Sequence, residues 1–248
     1  MTSLVCAAIG LLAVALCWWR YSWIVSPDGA AYLAMANGAP APAPFRWRLL
    51  PRILGRWPAV WRWCSWASLV VSAVLVGAYA EQRGIPGWSA AGLFCALPWF
   101  RGLVRMPILT DQLAMVFALG SALSPPCLAV PLAIVAGCCS ERAPVFAAVF
   151  AWSPLPLVGL VVPAVMALTT RGPSSAHNSL RTMRELHNRA QPHVYAQLLV
   201  ATDRARLYQW GAPVVVVSAL SALPPAWWPA AILATVISPA SDWVAPWK

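Results

Sequence analysis

Leu4-Val5-Cys6-Ala7-Ala8-Ile9-Gly10-Leu11-Leu12-Ala13-Val14-Ala15-Leu16, continued by Cys17-Trp18-Trp19-Arg20-Tyr21-Ser22-Trp23, is the first of a series of apolar runs whose reading decides the fold. It carries no charge before Arg20, and its aromatics extend it toward the roughly 20 residues a helix needs to cross hydrocarbon. Trp18, Trp19, Tyr21 and Trp23 mark a lipid–water boundary, where a ring keeps its polar edge wet. A leader peptide is the rival reading. The residues ahead of the run hold no Lys or Arg, and no small-residue cleavage site follows, so it reads as a retained helix.

Comparable runs recur at 66–80, 88–100, 108–123, 127–139, 145–168, 211–223 and 227–237. With 60% of residues apolar and 10% charged, the chain falls outside the usual range of soluble domains. A β-barrel needs short alternating strands, and that alternation is absent from the pattern. The expectation is an all-α polytopic transmembrane bundle of about eight spans, a single integral membrane domain over 1–248, with interfacial helices in its first loop. Pro154, Pro156 and Pro163 interrupt the sixth run, which membrane helices tolerate when neighbours satisfy the freed carbonyls.

The first loop, 26–63, opens with Ser26-Pro27-Asp28-Gly29. Ser26 suits an N-cap, Pro27 a first turn and Gly38 a stop, which predicts a helix over 28–37. Alternating prolines follow to Pro44. Over 45–66, five arginines mix with five tryptophans, and Arg48, Arg52 and Arg56 fall at i, i+4, i+8. That spacing predicts a basic stripe on a helix in the headgroup layer, broken into pieces by Pro51 and Pro58.

The basic excess is almost wholly arginine, whose fork matches phosphate. The arginines are divided among loops between spans, so lipid phosphate is the expected partner rather than nucleic acid. The polar segment 171–208 holds His177, His187 and His193 and most of the remaining arginines. Positive-inside counting puts it in the cytoplasm, with loop one outside. Loop one is itself basic, against that rule. Either the orientation is reversed or an interfacial helix holds its arginines for binding. In both cases eight spans bring Asp28, Asp111 and Glu141 to one face.

Charge at bilayer depth costs roughly 2.5–3.5 kcal/mol on insertion scales, so the few charged residues are the functional candidates. Asp28 suits a general base taking a proton from an acceptor hydroxyl. Its other reading is a turn with Gly29. Asp111 and Glu141 open helices, where an acid is worth about 0.3–1 kcal/mol against the helix dipole. Arg46, Arg48, Arg52, Arg101 and Arg105 are phosphate candidates or side chains snorkelling toward headgroups. The seven cysteines lie in or beside apolar runs and lack zinc spacing, as do the histidines. No metal site is predicted from spacing, and no phosphate-loop or dinucleotide fingerprint is present.

Ser26-Pro27-Asp28-Gly29-x-x-Tyr32, then Pro44-Phe45-Arg46-Trp47-Arg48-Leu49-Leu50-Pro51, Thr110-Asp111-Gln112-Leu113-Ala114 and Ser140-Glu141-Arg142-Ala143-Pro144 follow one another over about the first 145 residues. In that order they resemble the polytopic GT-C glycosyltransferases and their bacterial relatives. The chain would be a short, divergent member, with one carboxylate in loop one where many members have two. The resemblance implies transfer of a sugar from a polyprenyl-phosphate donor at the external face of a bacterial plasma membrane. By that likeness Asp28 matches the catalytic acid position, and Tyr32, Arg46 and Arg48 belong to the same external loop. Asp111 and Glu141 would line the membrane-side cavity and position substrate or a divalent metal. The alternative class is a non-enzymatic protein, a transporter-like or lipid-binding scaffold in contact with membrane lipids.

Overall fold

A computed structural model describes residues 2–39, 48–169 and 204–237. Every regular element among them is helical: α1 (Thr2–Arg20), α2 (Pro27–Ala36), α3 (Leu50–Leu54), α4 (Pro58–Glu81), α5 (Gly87–Ala96), α6 (Pro98–Arg105), α7 (Asp111–Leu123), α8 (Pro126–Cys139), α9 (Ala143–Ala151), α10 (Val161–Thr169), α11 (Arg204–Ala222) and α12 (Trp228–Ile237). All eight apolar runs are therefore helical, in whole or in part. Among the described residues two helices, α1 and α4, are long and apolar enough to cross a membrane by length and composition.

Proline explains much of this segmentation. It lacks an N–H and is suited to a helix's first turn, where that donor would have no partner inside the helix. Prolines open α2, α3, α4, α6, α8 and α9. Pro98 divides the third run into α5 and α6. The sixth run is divided between α9 and α10 by Trp152, at φ 50°, and a 3-10 turn over Leu155–Leu160.

The same rule corrects the reading of loop one. Pro58 does not break an interfacial helix; it starts α4, so the tryptophan-rich residues 58–66 form the opening turns of a long helix. Arg48 precedes α3, and Arg56 follows Gly55 at φ 71°. The basic stripe consequently does not form. Residues 171–203 of the polar segment 171–208 lie outside the described residues.

The core is built around α4, which packs against α1, α5 and α7 through Leu69, Ala73, Val76, Gly77 and Ala80. A Cβ on Gly10 of α1 would lie 3.1 Å from the Val70 backbone, so the two helices cross with almost no side chain between them. Close backbone approach through small residues is the way helices associate where lipid removes the hydrophobic drive. α7 packs on α8 and α9, and Ser121 Oγ donates to the Ala129 carbonyl at 2.8 Å across the first of these contacts.

The tightest contact joins α8 to the 3-10 turn. A Cβ on Gly137 would run into the Gly159 carbonyl, and one on Gly159 into the Ala133 carbonyl. Both obstacles are backbone and cannot rotate away. Gly137→Ala and Gly159→Ala should each destabilise the fold by about 1–3 kcal/mol, the usual cost of overpacking. Gly120→Ala, whose Cβ would meet only the Leu132 side chain at 3.6 Å, should be nearly neutral. Thermal unfolding of the three purified variants checks this.

Candidate functional site

The first loop and the residues leading into it settle on the ends of α6 and α8 through backbone bonds. Ile24 N–H donates to the Arg105 carbonyl at 2.7 Å, and Leu49 N–H donates to the Cys138 carbonyl at 2.9 Å. Ser26 caps α2, its hydroxyl accepting from Gly29 N–H at 3.0 Å. Gly29 is required by contact: a Cβ there would lie 2.7 Å from the Ile108 carbonyl. Thus α2 lies directly on the segment leading into α7. Asp28 and Tyr32, four residues apart, share one face of it.

Tyr32 is wholly buried, and its ring stacks on Trp61 of α4 at 5.9 Å and 9°. Trp61 Nε1 in turn donates to the Gly55 carbonyl at 2.9 Å. The Tyr32 hydroxyl accepts a hydrogen bond from Arg48 Nη1 and lies 3.4 Å from Thr110 Oγ1. Arg48, 2% exposed, is the hub. Its Nε and Nη2 donate to the two carboxylate oxygens of Glu141, each at 3.1 Å, in the parallel fork that suits a guanidinium. Its Nη1 also reaches Thr110 Oγ1 at 3.4 Å. Asp111, likewise 2% exposed, opens α7 beside this group, and its charge acts on both Arg48 and Tyr32.

The electrostatics follow from burial and from who faces whom. Burial disfavours charge on Arg48, but Tyr32, Glu141 and Asp111 more than offset it and raise its affinity for the proton. Burial raises Glu141 as well. The Arg48 charge and hydrogen bonds, with a smaller part from Arg142, outweigh that and hold it below the ordinary carboxylate value. Tyr32 is pushed up to about 12 by burial, so it is a neutral phenol at neutral pH. Arg142 Nε, 3.8 Å from Glu141, is a looser second cation in a half-exposed position.

Among the residues expected from the sequence, Tyr32, Arg48, Asp111 and Glu141 come together in this junction. Asp28 sits half-buried in the first turn of α2, one turn before Tyr32. Arg52 is exposed on α3. Arg105 lies 5.3 Å over the Tyr21 ring, and Arg101 faces α12, with Nη1 3.5 Å from the Val236 carbonyl. Arg46 lies outside the described residues.

Three residues with structural duties escaped sequence reasoning. Thr110 was signalled only by its place before Asp111. Trp61 is indistinguishable from its neighbours in a tryptophan-rich run. Gln112 Nε2 reaches the Leu103 and Met106 carbonyls at 3.4 and 3.3 Å, linking α7 to the end of α6.

The junction is packed side chain against side chain. Two described cavities, of about 520 and 600 Å³, lie elsewhere, one bordered by Tyr79, Arg83 and Val217, the other between α1, α5 and α12. Asp111 and Glu141 line neither of these cavities. Nor do they fit a divalent cation: both Glu141 oxygens are engaged by Arg48, and no three His, Cys, Asp or Glu among the described residues form a metal-holding group. No family model, no curated protein and no solved structure matches the chain.

Removing one partner of a fully buried ion pair strands the other charge, which costs about 3–5 kcal/mol, and the 19% exposure of Glu141 puts this pair at the low end of that range. Arg48→Met should lose that much, and adding Glu141→Gln should recover part of it. Unfolding of the single and double variants measures the coupling, and strictly additive losses would mean the pair contributes none. The pH dependence has a definite sign. A carboxylate held low in the folded state stabilises above its unfolded value, about pH 4.3, and that contribution disappears as pH falls through the folded value. Melting temperature should therefore fall on acidification below about pH 4, and fall less in Glu141→Gln.

Proposed function

We propose that the chain is an integral protein of a bacterial plasma membrane. In this reading the eight apolar runs form a polytopic bundle, and its polar end transfers a sugar from a polyprenyl-phosphate-type donor. Two helices of spanning length, with shorter apolar helices packed on them, support the membrane placement. So do the exposed apolar side chains along α1, among them Leu4, Leu11, Leu12, Leu16 and Trp19. The composite runs α5–α6 and α9–α10 cross as broken helices, which is tolerated where neighbours bury the break.

The observation that carries the activity is the seating of α2. A buried, doubly bonded Arg48–Glu141 pair is costly to assemble, and through Tyr32 it holds the helix that presents Asp28 at the polar end. Asp28 accepts the proton of an acceptor hydroxyl as that oxygen forms its bond to the anomeric carbon. The bond from that carbon to the donor phosphate breaks, and the lipid phosphate leaves with the electron pair. Arg48 is a positioning residue in this scheme, because its donors are committed internally. The exposed Arg52 and half-exposed Arg142 are the basic side chains near this end that can meet the donor's phosphate.

One observation favours a second reading. The junction is closed around Arg48, as a purely structural clasp would be, which suits a non-enzymatic, lipid-binding scaffold. Membranes containing the protein, assayed with radiolabelled hexosyl and pentosyl polyprenyl phosphates, separate the two. Asp28→Asn should reduce transfer at least 100-fold, by loss of the base, with expression and melting temperature unchanged. Undiminished transfer by that variant removes Asp28 from its role, and absence of transfer by the parent chain leaves the scaffold reading.

A further inference from the structure

The cavity of about 600 Å³ between α1, α5 and α12 is unlike the Arg48 junction, because it is open and two-sided in chemistry. Leu12, Leu16, Trp88, Gly92 and Ile232 form apolar walls, while Arg20, Tyr21 and Arg101 stand at one end. Arg20 closes α1, and Arg105, one turn beyond Arg101, bonds to Ile24 through its carbonyl. The basic end therefore faces the same side of the bundle as loop one.

Arg101 lacks what Arg48 has. Its Nε and Nη2 are buried and without a hydrogen-bond partner among the described residues, and its Nη1 reaches a carbonyl only at 3.5 Å. The ion pairs of the described residues centre on Glu141 and do not include it. A guanidinium that lines one end of an apolar slot, with two donors unmatched among the described residues, is complementary to an anion carried on an aliphatic chain once the side chain turns to it.

The geometry points to this groove as the seat of one membrane lipid with an anionic phosphate, its chain between α1, α5 and α12 and its phosphate on Arg101 and Arg20. In a bilayer the chain gains little by leaving one apolar environment for another. Selectivity therefore resides in the headgroup charge, and the slot admits the chain by shape. The inference requires a membrane around the protein but not transfer at Asp28.

Native mass spectrometry of the full chain from detergent, with dioleoyl phosphatidic acid and dioleoyl phosphatidylcholine at equal concentration, tests it. One phosphatidic acid should be retained per chain, about tenfold or more over phosphatidylcholine, whose phosphate carries its own choline counter-charge and lacks the free edge that suits a guanidinium fork. R101Q should abolish that preference at an unchanged melting temperature. Gly92→Leu should lower retention with both arginines intact, because a Cβ there already lies 3.1 Å from Ile232 Cδ1. If R101Q proves unstable, Gly92→Leu decides the matter. Equal retention of the two lipids, unaltered binding by either variant, or displacement by millimolar inorganic phosphate would each overturn the proposal. Asp242 lies beyond α12, outside the described residues, and retention only after Asp242→Asn would assign the groove to that segment of the chain and overturn the proposal too.

Discussion

The polar end of this protein is organised by one interaction, the bidentate contact between Arg48 and Glu141. Arg48 is the one basic side chain buried outright among the described residues. Taking the Arg48 charge fully out of water, and that of Glu141 in large part, costs several kcal/mol before their attraction is counted. The contact holds because every direction around the guanidinium is answered: Glu141 takes one edge, Tyr32 and Thr110 the other, and Asp111 adds its charge nearby. Each partner comes from a different part of the chain, namely loop one, the α6–α7 turn and the α8–α9 turn. The short first-loop helix α2, whose Tyr32 and Met35 are buried in the core, is thereby also pinned at its polar side.

The rest of the bundle is held by different physics. Gly10 and Gly137 let neighbouring backbones come so close that a Cβ would find no room, and dispersion acts over the many contacts this allows. The polar junction and the small-residue crossings make different demands. The first needs matched charges, the second needs the absence of side chains. The site region sits where the two meet, with Gly29 pressed on the Ile108 carbonyl three residues before Tyr32.

Some of this was legible in the residues. The cap, first-turn proline and stop of α2 are local signals and appear as read, from Ser26 to Gly38. Tyr32, Arg48, Asp111 and Glu141, each a candidate by residue type and motif, come together in one junction. The pairing within that end was not legible. Nothing local in loop one distinguishes Arg48 from Arg52, yet one is buried and the other exposed; Leu49's bond to the Cys138 carbonyl, a long-range fact, makes the difference. Helix lengths were also misread where an apolar run continued through a proline, as at Pro98, because hydropathy is insensitive to a missing N–H. Pro58 misled in the opposite direction, since a proline breaks a helix inside it and begins one at its edge.

The separation of Arg48 from Glu141, 93 residues along the chain, has a consequence for biogenesis. Ribosomes add about 5–20 residues per second, so the guanidinium emerges roughly 5–20 seconds before its carboxylate exists. Throughout that interval the nascent first loop must keep Arg48 in water or among headgroups, because no counter-charge has yet been synthesised for it. Closure of the polar end is therefore a late event, timed by the arrival of the α8–α9 turn.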